Sequence, residues 1–139
     1  MMSLERIAST DGSALAIVIR ADFHKNGTNF VSDKNSPFQV GVGCHDAGAK
    51  IKAHFHVDRK QEICGIQEVV HLESGRANVD IYSRSGVKIK SVELKMGDTI
   101  FFVDGGHGFT MLEPTKFVEV KQGPYLEKRN DKVLLDEAE

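Results

Sequence analysis

Residues 76–90, RANVDIYSRSGVKIK, decide how this chain folds. Ala77, Val79 and Ile81 alternate with Asn78, Asp80 and Tyr82, and Val87 and Ile89 alternate with Lys88 and Lys90. A period of two puts the apolar side chains on one face of an extended strand and the polar ones on the other. Ser85-Gly86, between the two runs, is a turn signal. The stretch therefore reads as strand, turn, strand. The same pattern continues outward. Phe38, Val40 and Val42 share one face; Ile51 and Ala53 share another, with Lys50, Lys52, His54 and His56 opposite. Further turn signals stand at Asp11-Gly12, Asn26-Gly27, Ser74-Gly75, Gly97-Asp98 and Asp104-Gly105-Gly106. From residue 75 onward they recur about every 10–12 residues, the rhythm of a sandwich or barrel. Helical spacing is confined to the tail, Asp131 to Glu139, which is expected to form a short helix or to fray. Asn26 to Ser36 reads as a polar loop, and Val57 to Gln67 as an excursion forming a mobile or partner-contacting loop.

The 139 residues suit one domain, with N-terminal strands over 13–42, a central part over 48–107, and a closing strand and tail over 108–139. A hydrophobic fraction of 40% and a charged fraction of 27% describe an ordinary globular composition. A net charge of −2 disfavours nucleic-acid binding through bulk charge. No apolar run approaches the roughly 18 residues of a membrane span. The N-terminus shows no secretory pattern, so a cytoplasmic location is expected. Cys44 and Cys64 are too few for a disulfide framework and are expected as reduced thiols.

His54-Phe55-His56 is the first chemical signal. Residues i and i+2 of a strand lie about 7 Å apart on one face, at ~3.3 Å rise per residue, so two imidazoles can converge on one ion. Around them, five residues separate Gly48 from His54, six separate Glu68 from Gly75, and GDTIFFVDGGHGF (Gly97 to Phe109) carries His107.

This combination resembles the two motifs of the cupin superfamily over about residues 40 to 125. The resemblance implies an antiparallel jelly-roll β-barrel of the double-stranded β-helix type. It also implies one divalent metal ion held by His54, His56, Glu68 and His107. Iron, manganese, nickel and zinc all suit such nitrogen and oxygen ligands. The chain departs from the pattern in four places. Eleven residues, rather than about three or four, separate His56 from Glu68; Val103 stands for the proline; one residue rather than two separates Gly105 from His107; and Met111 stands for the final asparagine. Glu62 is a rival carboxylate, but the spacing to Gly75 and the strand context favour Glu68. His71, three residues from Glu68, is expected on the opposite face.

Phe117 to Val133, FVEVKQGPYLEKRNDKV, is similar to the end of the cupin domain of type II mannose-6-phosphate isomerases at Glu119, Val120, Gly123, Tyr125, Leu126 and Asp131. Lys128 and Arg129 interrupt the acidic run of that family, so only a lean toward sugar-type ligands follows. Glu119 and Lys121 are expected as an ion pair on an outer strand. The resemblance thus implies a metal-dependent isomerase, epimerase or dioxygenase acting on a small oxygen-rich substrate. The alternative is a non-catalytic metal- or sugar-binding accessory module. No residue is identified as catalytic, and no organic cofactor is implied. A homodimer is expected, with Ser13 to Arg20 as a candidate edge strand.

Overall fold

The computed structural model describes residues 3–127 and 132–135. Among these residues it is all-β, with ten strands and no helix. They are β1 (Leu4–Ala8), β2 (Ala14–Ile19), β3 (Gly27–Phe30), β4 (Gly41–Cys44), β5 (Glu68–Ser74), β6 (Arg76–Tyr82), β7 (Lys88–Lys95), β8 (Thr99–Phe102), β9 (Gly106–Met111) and β10 (Lys116–Lys121). All pairings are antiparallel. The sheets are open, and no ring of strands closes into a barrel among the described residues. The chain forms two compact units, Met1–Phe23 with Gln67–Glu139, and His24–Ile66.

The first unit holds a five-stranded sheet, β1-β2-β8-β5-β10, and a three-stranded sheet, β7-β6-β9. Their inner faces share one apolar core. Val18, Val70, Leu72 and Ile100 come from the larger sheet, and Ala77, Val79, Ile81 and Leu94 from the smaller. All of these are fully buried. Each large aliphatic side chain so buried contributes about 1.5–3 kcal/mol. The alternation of Ala77, Val79 and Ile81 therefore does in the fold what its period implies.

On β7 the buried positions are Val92 and Leu94, out of step with the half-buried Ile89. A bulge opposite Ile81 and Tyr82 makes the shift, adding one residue to β7.

The turns do specific work. Gly75 has φ +91°, and a Cβ there would collide with the Pro114 carbonyl oxygen and Thr115, so only glycine lets β5 pass into β6. Asp98 is buried at 4% exposure in the turn before β8. Its carboxylate accepts from the amides of Ala21 (2.9 Å) and Lys95 (2.8 Å) and from Arg20 Nη1 (2.9 Å). Arg20 Nη1 also donates to the Glu93 carbonyl (2.7 Å). A buried carboxylate survives here because each oxygen is matched by a donor.

The second unit contains the β3–β4 hairpin. Phe38, Val40 and Val42 are half-buried and alternate with exposed neighbours, as their spacing implies. Gly27–Phe30, expected as loop, is instead a strand, because Gly41–Cys44 supplies its backbone partners. Ile51 and Ala53, expected in a strand, belong to none: residues 45–66 are exposed throughout and contain no regular structure. Cys44 and Cys64 are free thiols.

Two further expectations change. Ser13 to Arg20 is not an edge: β2 lies inside its sheet, paired with both β1 and β8, and the edges are β1 and β10. For the helical tail, residues 132–135 show no helix, and Asp131 and residues 136–139 lie outside the described residues.

Candidate functional site

The site forms at one end of the first unit, where polar side chains continue the inner faces of both sheets. Val70 and Leu72 are buried inward on β5, so Glu68, two residues before Val70, shares their face. In register, Glu68 stands opposite Phe102 of β8 and Lys121 of β10. Glu119 stands opposite Val70 and Phe117 opposite Leu72, so β10 turns Phe117, Glu119 and Lys121 inward. Across the core, His107 pairs with the buried Ile81 and Phe109 with the buried Val79, which aims both rings inward from β9.

His107 is stacked on Phe102, with ring centroids 3.8 Å apart and planes 13° from parallel. Phe109 meets both rings edge-on at 5.9 Å and lies parallel to Phe117 at 6.0 Å. This aromatic packing fixes the imidazole with Nε2 3.8 Å from Glu68 Oε1, beyond hydrogen-bond reach. Glu119 lies on the same face as Glu68, on the neighbouring strand, and its charge acts on the Glu68 carboxyl. Lys121 Nζ lies 3.9 Å from Glu119 Oε2.

Two opposing shifts result. Burial, and then the Glu119 charge beside it, push the Glu68 carboxyl up to about 7, against the pull of Lys121 and Lys132. Burial, with Lys132 and Lys121 adding to it, holds the His107 imidazole below its ordinary value, against Glu119. The ring is therefore neutral near pH 7, the form in which imidazole ligates a metal.

The residues expected as metal ligands divide between the units. Glu68 and His107 meet in the first. His54 and His56 meet in the second, with ring centroids 5.1 Å apart, on an exposed segment rather than a strand. His54 Nδ1 donates to the Lys52 carbonyl at 2.6 Å, since a carbonyl can only accept. Among the described residues no three His, Cys, Asp or Glu side chains form a group able to hold a metal ion. Glu62 is exposed in the irregular segment. His71 points away from Glu68, as its odd spacing implies, and bonds Thr99 Oγ1 at 2.8 Å. His24 and His45 are exposed and bond Asn26 and Thr28.

Glu119 forms the ion pair with Lys121 that its position implies, and the register also brings it to the face of Glu68. The signal was present in F-V-E-V-K, where Glu119 alternates with two valines that must face the other way. Gln122 also adjoins the site: its Oε1 accepts from the Gln67 amide at 2.8 Å, while its buried Nε2 has no partner among the described residues.

No protein-family model, curated protein or solved structure matches the chain. No described helix is long and apolar enough to cross a membrane.

Proposed function

We propose that this chain is a metal-binding protein of the cupin type, a divalent-metal-dependent enzyme acting on a small oxygen-rich substrate. The observation that carries this reading is the Glu68–His107 pair, a carboxylate and a neutral imidazole 3.8 Å apart on facing sheets. Two such donors can meet one ion, since each ligand bond is about 2.1 Å. The electrostatics fit as well. Burial and the Glu119 charge raise the Glu68 carboxyl to about 7, and a dication would offset both and favour the carboxylate. The jelly-roll assignment belongs to the same proposal, supported by two antiparallel sheets sharing one core.

The bound ion would supply Lewis-acid polarisation of a substrate oxygen, or a place for dioxygen. The protein's own groups do the rest. Phe102 and Phe109 orient the His107 ring and exclude water from its faces. Glu119 offers a carboxylate that can hold or pass a proton beside Glu68. Phe117 offers an apolar ring face to the carbon side of a sugar-type ligand. Glu119 is what favours an enzyme over a storage or accessory module, because it adds a proton-transfer group beyond the four ligands.

Plasma mass spectrometry of the purified chain, after loading with iron, manganese, nickel or zinc, tests the reading. About one ion per chain is expected, lost in Glu68→Ala and in His107→Ala and kept in Glu62→Ala. A His54→Ala variant measures the share of the H-x-H pair. A wild-type chain that holds no metal after loading overturns the proposal.

A further inference from the structure

The C-terminal end of the chain returns to the site. β10 ends at Lys121, opposite Glu68 in the five-stranded sheet. Further along, Leu135 lies against the three-stranded sheet at Gly106, the first residue of β9 and the one before His107. All of these residues belong to the first unit. The chain thus starts beside Glu68 on one sheet and arrives beside His107 on the other. Lys132 lies between the two: it is exposed, and its charge acts on both Glu68 and His107, so it stands near each. Three residues of chain, at most about 11 Å, link it to Leu135.

Gly106 shows what seats this end of the chain. It pairs with Tyr82, so it lies on the outer face of the three-stranded sheet while His107 faces inward. Unlike Gly105, it has no positive φ, so its backbone would accept any side chain. A Cβ there would stand at an ordinary 3.6 Å from Tyr82 Cβ but only 3.1 Å from Leu135 Cδ1. The position is bare where Leu135 approaches. Leu135 Cδ2 also lies 3.9 Å from the Cβ site of Gly86, in the turn between β6 and β7. Two glycines at one end of the sheet therefore form the seat. Val133 and Leu134 are 94% and 80% exposed and Leu135 is 43% exposed, so Leu135 is the seated member of the apolar run.

We propose that residues 132–135 are a strap over the mouth of the Glu68–His107 site, latched by Leu135 on Gly106, and that release of the latch opens the site to small molecules. The strap hooks over the end of the three-stranded sheet, with Lys132 on the side of the carboxyl and imidazole and Leu135 on the outer face. It narrows the mouth without sealing it, since the His107 and Glu68 side chains stay 29% and 13% exposed. The hold is light: one half-covered leucine, on a segment in no helix or strand. Segments with so few buried contacts are the first to open, and a closing element must part at each binding event. Gating depends on the tail and its seat alone, so it goes beyond the proposed function and holds whichever ligand the site takes.

The test locks and unlocks the strap on the full chain and uses no metal. Gly106→Cys/Leu135→Cys, with Cys44→Ser and Cys64→Ser, places two thiols at the latch, where Leu135 Cγ is 4.0 Å from the Cβ site of Gly106, close enough for a disulfide. Diethyl pyrocarbonate, which attacks neutral imidazole, is the probe, and peptide mass mapping reads the rate at each histidine. The exposed His24 and His45 serve as internal references. The disulfide is expected to form on oxidation and to slow modification of His107 severalfold, with the rate restored on reduction and the references unchanged. Leu135→Asp, which keeps Gly106 and needs no disulfide, is expected to speed modification of His107 severalfold with an unchanged far-ultraviolet circular dichroism spectrum. A cysteine pair that stays reduced under oxidant in a folded chain overturns the latch. A His107 rate that is the same in the locked and reduced forms, or in Leu135→Asp and wild type, overturns the gating.

Discussion

β6 and residues 50–57 have nearly the same binary pattern and opposite fates. β6 alternates Ala77, Val79 and Ile81 with polar residues, lies between β7 and β9, and buries all three apolar side chains completely. Residues 50–57 alternate Ile51, Ala53, Phe55 and Val57 with basic residues and bury none of them. The difference is the company each keeps. A strand's backbone groups and apolar face are satisfied only by neighbours, so period two states what a segment needs and not whether the chain provides it. The contrast separates residues that hold the first unit together from residues that lie in no strand.

Substitutions can break or sharpen that contrast. The largest effect is expected where both sheets meet. Ile100→Ala empties a fully buried position and is expected to cost about 3–4 kcal/mol in denaturant unfolding. Asp98→Ala follows at about 3 kcal/mol, because it strands Arg20 and two backbone amides together. A loss below about 1 kcal/mol for Asp98→Ala would mean that solvent reaches the Arg20 guanidinium.

The next effect depends on pH. Folding raises the Glu68 pKa from 4.5 to about 7, so the folded chain binds more protons than the unfolded chain in that window. Its contribution is fully present below pH 4.5 and is lost as pH rises through 7. In chelator, Glu68→Gln should therefore match the wild type near pH 4 and exceed it by about 2 kcal/mol at pH 8, a figure discounted for partial solvation. His107 acts with the opposite sign: its folded pKa is lowered, so stability is lost as pH falls below 6.5. That trend is common to both chains, so the difference between their melting curves isolates Glu68. A constant difference across the range would place the proton elsewhere.

The smallest effect is expected at Phe55. Phe55 is fully exposed, so Phe55→Ser should change thermal stability by less than about 0.5 kcal/mol, although a phenylalanine is lost. A Phe55 as costly to remove as Ile100 would show that residues 50–57 pack within the single chain.

Part of the candidate site was legible in the sequence. The cupin resemblance singled out Glu68 and His107, and the structure places the two 3.8 Å apart. Spacing also put His71 on the other face. Glu119 was not legible as a member of the site, because its meeting with Glu68 depends on the register of β10 on β5, between residues some fifty positions apart. β1 and β3 were missed for a related reason. LERIA and GTNF have weak alternation of their own, and they are strands because β2 and β4 offer them edges.

By itself, then, the sequence determined an antiparallel, all-β chain, most of its turns, and the inward direction of Glu68. These follow from local sterics: side chains alternate along an extended backbone, and glycine permits the left-handed turns. Only the tertiary structure decided which strands lie at edges, that Glu119 shares a face with Glu68, and that residues 50–57 belong to no strand. Those depend on non-local pairing, where a backbone group is satisfied by whichever strand the rest of the fold places beside it.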